Sequence, residues 1–86
     1  MPKVSEFFGI VIALFYADHA PPHFHARYGE HEALIGIDRF EVLRGALPRR
    51  ALALVLEWAS QHHAELENDW IRARQGLPLD RIDPLE

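Results

Sequence analysis

Two histidines separated by one residue, His23 and His25, are the side chains of this sequence best suited to metal chemistry. In an extended strand, side chains two positions apart project from the same face, about 6.6 Å apart along the strand. Neutral imidazole nitrogens are common ligands of zinc and related divalent ions. The spacing therefore allows both imidazoles to converge on one divalent metal such as zinc, the only cofactor that the sequence suggests.

The third ligand has to come from residues near the histidine pair. Glu32 is expected on the same strand face, across a hairpin, whereas Asp18 and His19 lie in a connector stiffened by two consecutive prolines. Arg27 is expected to pair with Glu32 across that hairpin. The predicted site comprises Asp18, His19, His23, His25, Arg27 and Glu32, and the predicted metal ligands are His23, His25 and Glu32.

Other interpretations of these residues stay open. Histidine is an ordinary occupant of the polar face of an antiparallel sheet, and a His-x-His pair without a defined third ligand is a weak motif. One of the histidines with Asp18 or Glu32 could also form an acid–base pair. Nucleophilic catalysis is disfavoured, because the chain has no cysteine and its only serines are Ser5 and Ser60. The sequence therefore favours a non-catalytic role without committing to it.

The residues around the histidines alternate as strands of an antiparallel meander. The segments 23–28 and 32–37 alternate in polarity, and Gly29-Glu30 between them suits a two-residue hairpin turn. That turn sets the register, with His23 opposite Gly36 and Arg27 opposite Glu32. The earlier run 7–16 is apolar on both alternating sets and is interpreted as one strand. With a further strand before residue 44, the strands occupy about 7–44.

The second half of the chain has helical periodicity. Apolar residues recur at helical spacing over 48–75, with Pro48 suited to the first turn and Gly76 to the end. One long helix is predicted; two shorter helices with a bend near Ser60 are the less favoured alternative. Residues 77–86 form an extended tail. The predicted fold is α+β, a three- to four-stranded antiparallel meander packed against one long C-terminal helix, as a single domain over 1–86.

Composition and charge narrow the function classes. The 86 residues carry nine basic and thirteen acidic groups, for a net charge of −4, spread evenly along the chain. Nucleic-acid binding is therefore disfavoured, and its only local support is the group Arg44, Arg49 and Arg50. The N-terminus lacks the pattern of a signal peptide, and no apolar run approaches the ~20 residues of a membrane span. We expect a cytoplasmic protein without membrane association.

The apolar strand and the helix also suggest a protein partner. A strand that is apolar on both faces needs cover on both, and in 86 residues this cover comes either from a partner or from the chain's own N-terminus and tail. Large amphipathic aromatic residues on a helix are typical of interfaces. The expected partner is another small protein or a second copy of this chain. The candidate interface residues are Val11, Ala13, Phe15, Trp58 and Trp70.

Four stretches carry a resemblance to a known family. They are Phe-Phe-Gly-Ile at 7–10 with Asp18-His19-x-Pro-Pro-His-Phe-His-Ala-x-Tyr-Gly-Glu30, then Leu47-Pro48-x-Arg50-Ala51-Leu52-x-Leu54-Val55-x-Glu57-Trp58, and Gly76-x-Pro78-Leu79-x-x-Ile82-x-Pro84-Leu85. In these the chain resembles a bacterial family, domain of unknown function 4160. The family has no established activity, and its members are often encoded beside another small protein, as in toxin–antitoxin pairs. The resemblance implies a regulatory or protein-interaction module of such a pair. The alternative function, a His-based metal-binding domain or a metal-dependent hydrolase or nuclease, depends on His23 and His25 and not on the resemblance.

Overall fold

A five-stranded antiparallel sheet in meander order is followed by two helices in the computed structural model, which describes residues 2–86. The strands are β1 Lys3–Phe7, β2 Ile10–Ala13, β3 His23–Tyr28, β4 His31–Gly36 and β5 Val42–Ala46, and the helices are α1 Arg49–Gln61 and α2 His63–Arg74. The predicted α+β fold with an antiparallel sheet is confirmed. The expected three to four strands and single helix are wrong, for two local reasons.

The first difference is a tight turn inside the apolar run 7–16. Phe8 and Gly9 have φ values of 51° and 78°, and Phe7 pairs with Ile10, as in a type I′ hairpin. Phenylalanine is an unusual occupant of this turn, because a side chain in the left-handed region costs about 1–2 kcal/mol. The chain therefore reverses where the sequence suggested one continuous strand, and residues 3–7 add an extra strand.

The second difference is a break at His62, which has φ −131° and ψ 30° and separates α1 from α2. A straight helix over 48–75 would be about 42 Å long at 1.5 Å per residue. The longest dimension of the molecule is 33 Å. The break lets Leu66 and Trp70 of α2 bury their side chains in the same core as α1 does. It lies two residues beyond Ser60, where the less favoured alternative had put a bend.

One face of the sheet packs against both helices and forms the core. Trp58 of α1 is fully buried at its centre, with its ring centroid 5.3 Å from that of Phe7 and 6.0 Å from that of Phe24. The sheet residues of this core are Val4, Phe7, Ile10, Ile12, Phe24, Ala26, Ala33 and Ile35. Because side chains alternate along a strand, His23 and His25 project from the face of β3 opposite to that of Phe24, which lies in this core.

The tail over 77–86 runs without regular secondary structure between β1 and the helices. The Ile82 backbone N–H donates to the Val4 carbonyl oxygen at 2.8 Å, and the Trp58 indole N–H donates to the Asp83 carbonyl oxygen at 2.8 Å. The Asp80 backbone N–H donates to Oδ1 of Asp69 in α2 at 2.8 Å. The tail is thus held by backbone hydrogen bonds to a strand and to both helices.

The buried Asp69 should make stability depend on pH. Burial raises the pKa of this carboxyl group against the lowering effect of the Asp80 N–H, and Oδ2 has no hydrogen-bond partner among residues 2–86. Because the folded state then holds its proton to higher pH than the unfolded chain, stability falls as pH rises from the ordinary aspartate pKa through the raised value. The Asp69→Asn substitution keeps an oxygen that accepts from the Asp80 backbone N–H, and it removes this loss of stability at higher pH.

The free energy of unfolding of Asp69→Asn minus that of the native protein should therefore grow as the pH rises above the ordinary aspartate pKa of about 3.9 and through the raised value. Urea denaturation at a series of pH values measures it. The exposed Asp38 provides the control, since Asp38→Asn should not produce this trend. A difference between Asp69→Asn and the native protein that stays constant with pH would contradict the prediction.

Candidate metal centre

Two elements bring the histidine pair together with a carboxylate. In β3, His23 and His25 share the sheet face opposite to that of the core residue Phe24, and Ala13 at the end of β2 pairs with His25. The connector that follows β2 folds back so that Asp18 lies over the two rings. The side chains of His23, His25 and Asp18 are 7%, 15% and 25% exposed. The cluster is thus largely shielded from water yet reachable.

The three side chains converge on one point. Oδ2 of Asp18 lies 3.1 Å from Nε2 of His23 and 2.9 Å from Nε2 of His25. One ligand atom from each residue lies within 4.8 Å of the other two. Ligand atoms of a tetrahedral zinc ion, with bonds of about 2.0–2.1 Å, lie about 3.3 Å apart. The spacing of the three atoms therefore suits a common small cation.

The opposite nitrogens of both rings also meet acceptors. Nδ1 of His23 lies 2.8 Å from the Pro21 carbonyl oxygen, and Nδ1 of His25 lies 3.3 Å from Oε2 of Glu32. A carbonyl oxygen only accepts, so Nδ1 of His23 carries the proton and Nε2 of a neutral ring presents a lone pair to Asp18. Metal-bound histidines characteristically donate their second ring N–H to a carbonyl or carboxylate in this manner.

The number of N–H protons on the two imidazole rings limits how their four contacts can be satisfied. Four ring nitrogens face four acceptor contacts, but two neutral imidazoles carry only two N–H protons. When both rings are neutral, two of the four contacts therefore lack a proton, and either two further protons or one divalent cation between the Nε2 atoms and Asp18 would satisfy them. In the cation-bound form, every one of the four nitrogens has a matching partner.

Aromatic residues and an arginine hold the cluster in place. The Phe15 ring meets His25 edge-on with 4.5 Å between centroids, and the Trp70 ring of α2 lies 5.3 Å from His23. Nη1 of Arg74, at the end of α2, donates to the Asp18 carbonyl oxygen at 3.0 Å. The helix end thus contacts both the connector and the first histidine.

The comparisons with known proteins identify the family. The family model described as a domain of unknown function (DUF4160) matches residues 9–71, about three quarters of the chain. The chain belongs to this family. The match covers all three cluster residues and Trp70 and ends before Arg74. No curated protein and no solved structure gives a significant match. Among residues 2–86, no helix has the length and apolar character needed to cross a membrane.

The predicted site residues of this DUF4160 domain separate into two groups. Asp18, His23 and His25 form the cluster, whereas Glu32 contacts the far nitrogen of His25 and so lies outside the cluster itself. His19 is exposed on the connector and belongs to no such cluster among the described residues. Arg27 lies opposite Glu32 in the predicted register, and in the part of the chain that the structure describes it forms no ion pair within 4.0 Å.

Three of the five candidate interface residues are buried within the domain itself. Trp58 is fully buried in the core, Ala13 is 2% exposed and Trp70 is 8% exposed. Val11 and Phe15 are half-buried on the face of the sheet away from the helices. Sequence reasoning had not assigned Trp70 or Arg74 to the site, since nothing in the local pattern of α2 points to a strand more than 40 residues earlier.

Proposed function

We propose that this protein is a metal-binding domain in which Nε2 of His23, Nε2 of His25 and Oδ2 of Asp18 hold one divalent ion of the zinc class. The observation that supports this most is the convergence of Nε2 of His23 and Nε2 of His25 on Oδ2 of Asp18, while both Nδ1 atoms already face acceptors. Pro21 and Glu32 orient the two rings from their Nδ1 sides. The backbone carbonyl of Pro21 does so without adding charge.

The ligand set favours a particular chemistry. Two imidazoles and one carboxylate suit zinc and other late first-row divalent ions, and the absence of thiolates disfavours soft ions such as Cu(I). Three protein ligands leave a fourth position for water or a substrate, as in catalytic rather than structural zinc sites. No serine, threonine or cysteine belongs to the cluster. A hydrolytic reaction here would use metal-bound water as its nucleophile.

Metal content tests the proposal directly. We expect the native protein to bind about one equivalent of zinc or Co²⁺ by elemental analysis and titration, and the double variant His23→Ala/His25→Ala to bind none. The matched control is His19→Ala/His31→Ala, which removes two exposed histidines outside the cluster and should keep the full equivalent. Circular dichroism establishes that all three proteins are folded. Equal metal binding by both double variants would contradict the proposal.

A second function, as a cytoplasmic bacterial module that binds a protein partner in a toxin–antitoxin-like pair, has its own supporting observation. Phe8 is 61% exposed in a left-handed backbone conformation, at the rim of an open cavity of about 180 Å³. Tyr28, Pro48 and Leu54 are among its lining residues, and it lies apart from the histidine cluster. Strained, exposed aromatic side chains are candidates for recognition. Partner binding there should survive His23→Ala/His25→Ala.

A further inference from the structure

We infer that the open position of this metal site takes an oxyanion group, a phosphate or a carboxylate, and that Arg74 binds the same group. This inference rests on the proposed metal site and names the ligand that the site would accept. It is based on Arg74, which is not one of the three metal ligands but contacts the Asp18 backbone and the Trp70 ring. Cationic side chains beside an open metal position are the usual means of holding such ligands.

Arg74 is held next to the cluster by the residues that build it. Nη1 donates to the Asp18 carbonyl oxygen at 3.0 Å, while the Asp18 carboxylate faces the histidines. The guanidinium carbon lies 5.8 Å from the centroid of the Trp70 ring, which in turn lies 5.3 Å from the His23 ring. The end of α2 thus positions one cation at the rim of the metal centre.

The charge of Arg74 is not matched by a neighbouring carboxylate. Within residues 2–86, no carboxylate oxygen comes within 4.0 Å of its guanidinium nitrogens, and the side chain is exposed. Among the described residues, only one of its five N–H groups has an acceptor, and this acceptor is a neutral carbonyl oxygen. Anchoring the connector needs just this one donor. The remaining planar set of donors suits an oxyanion, which can accept two parallel hydrogen bonds.

The charges of the loaded site also favour an anion. A divalent ion and Arg74 bring three positive charges, against two negative charges from Asp18 and Glu32. A monoanion bound at the metal would balance this excess. One oxygen can bind the metal while another accepts from the Arg74 guanidinium, so the metal and the arginine act on a single ligand.

Cobalt-loaded protein provides the test, because the visible absorption of Co²⁺ responds to its fourth ligand. Inorganic phosphate and acetate are titrated separately at constant ionic strength. We expect one or both to shift the spectrum of the native protein, and Arg74→Gln to weaken that binding at least tenfold while Co²⁺ affinity stays within about threefold. The matched control is Arg72→Gln, whose guanidinium donates to the Pro78 carbonyl on the tail.

The outcomes separate this inference from the metal proposal. Failure of the native protein to bind Co²⁺ overturns both. Co²⁺ binding without any anion response, or with a response unchanged in Arg74→Gln, overturns only the role of the oxyanion and Arg74. If Arg74→Gln does not fold, Arg74→Lys decides, since lysine keeps the charge but lacks the planar fork and should weaken anion binding at least threefold. Equal binding by Arg74→Lys and the native protein would then overturn the inference.

Discussion

Zinc at one hundred times its dissociation constant is expected to raise the free energy of unfolding by about 2.7 kcal/mol. Only the folded chain holds Asp18, His23 and His25 within ligand distance, so binding is coupled to folding. For a domain of this size, the same change corresponds to a rise of roughly 10–20 °C in Tm. Thermal and urea denaturation with zinc, and again after chelation, measure the effect.

Two comparisons make this result specific. The double variant His23→Ala/His25→Ala should show no stabilisation by zinc, whereas His19→Ala/His31→Ala should respond as the native protein does. Lowering the pH should weaken the effect, since protons compete with the metal for imidazole nitrogens. Equal stabilisation of both double variants would place the zinc elsewhere in the molecule and would argue against the cluster.

Gly45→Ala is expected to cost at least about 3–4 kcal/mol of stability, a large share of the 5–15 kcal/mol typical of a domain. Gly45 has φ +78°, which alone costs alanine about 1–2 kcal/mol. Its new Cβ would also overlap the Glu32 carbonyl oxygen and stand 3.2 Å from the Ala33 Cα atom. These are backbone atoms of β4, so relief requires β4 and β5 to separate.

A second glycine supplies the matched control for this substitution. Gly29 also has positive φ, +59°, but a Cβ there meets nothing within 4 Å. Gly29→Ala should therefore cost only the backbone term of about 1–2 kcal/mol. Urea denaturation of both variants measures the difference. Because Glu32 orients His25, Gly45→Ala should also weaken metal binding in whatever fraction remains folded. Similar losses in the two variants would show that the β4–β5 contact is not rigid.

The central hairpin shows where local pattern is sufficient. The predicted register of His23 opposite Gly36 and Arg27 opposite Glu32 is confirmed, because a two-residue turn and strict alternation leave one arrangement with a single buried face. The break at His62 shows where the local sequence pattern is not sufficient to predict the structure. No residue in 48–75 after Pro48 interrupts a helix, and the break follows from the need to bury Leu66 and Trp70 in a core shorter than the helix.

The amino-acid sequence by itself determined that His23 and His25 share one face of a strand, since alternation is a property of the local backbone. It also determined the antiparallel hairpin that places Glu32 beside them. Tertiary structure alone decided that Asp18 completes the cluster, that Pro21 accepts from His23, and that Arg74, 56 positions beyond Asp18, reaches the connector. These contacts depend on how the connector folds over the sheet and how α2 docks. Both are determined by core packing between segments that are distant in the sequence.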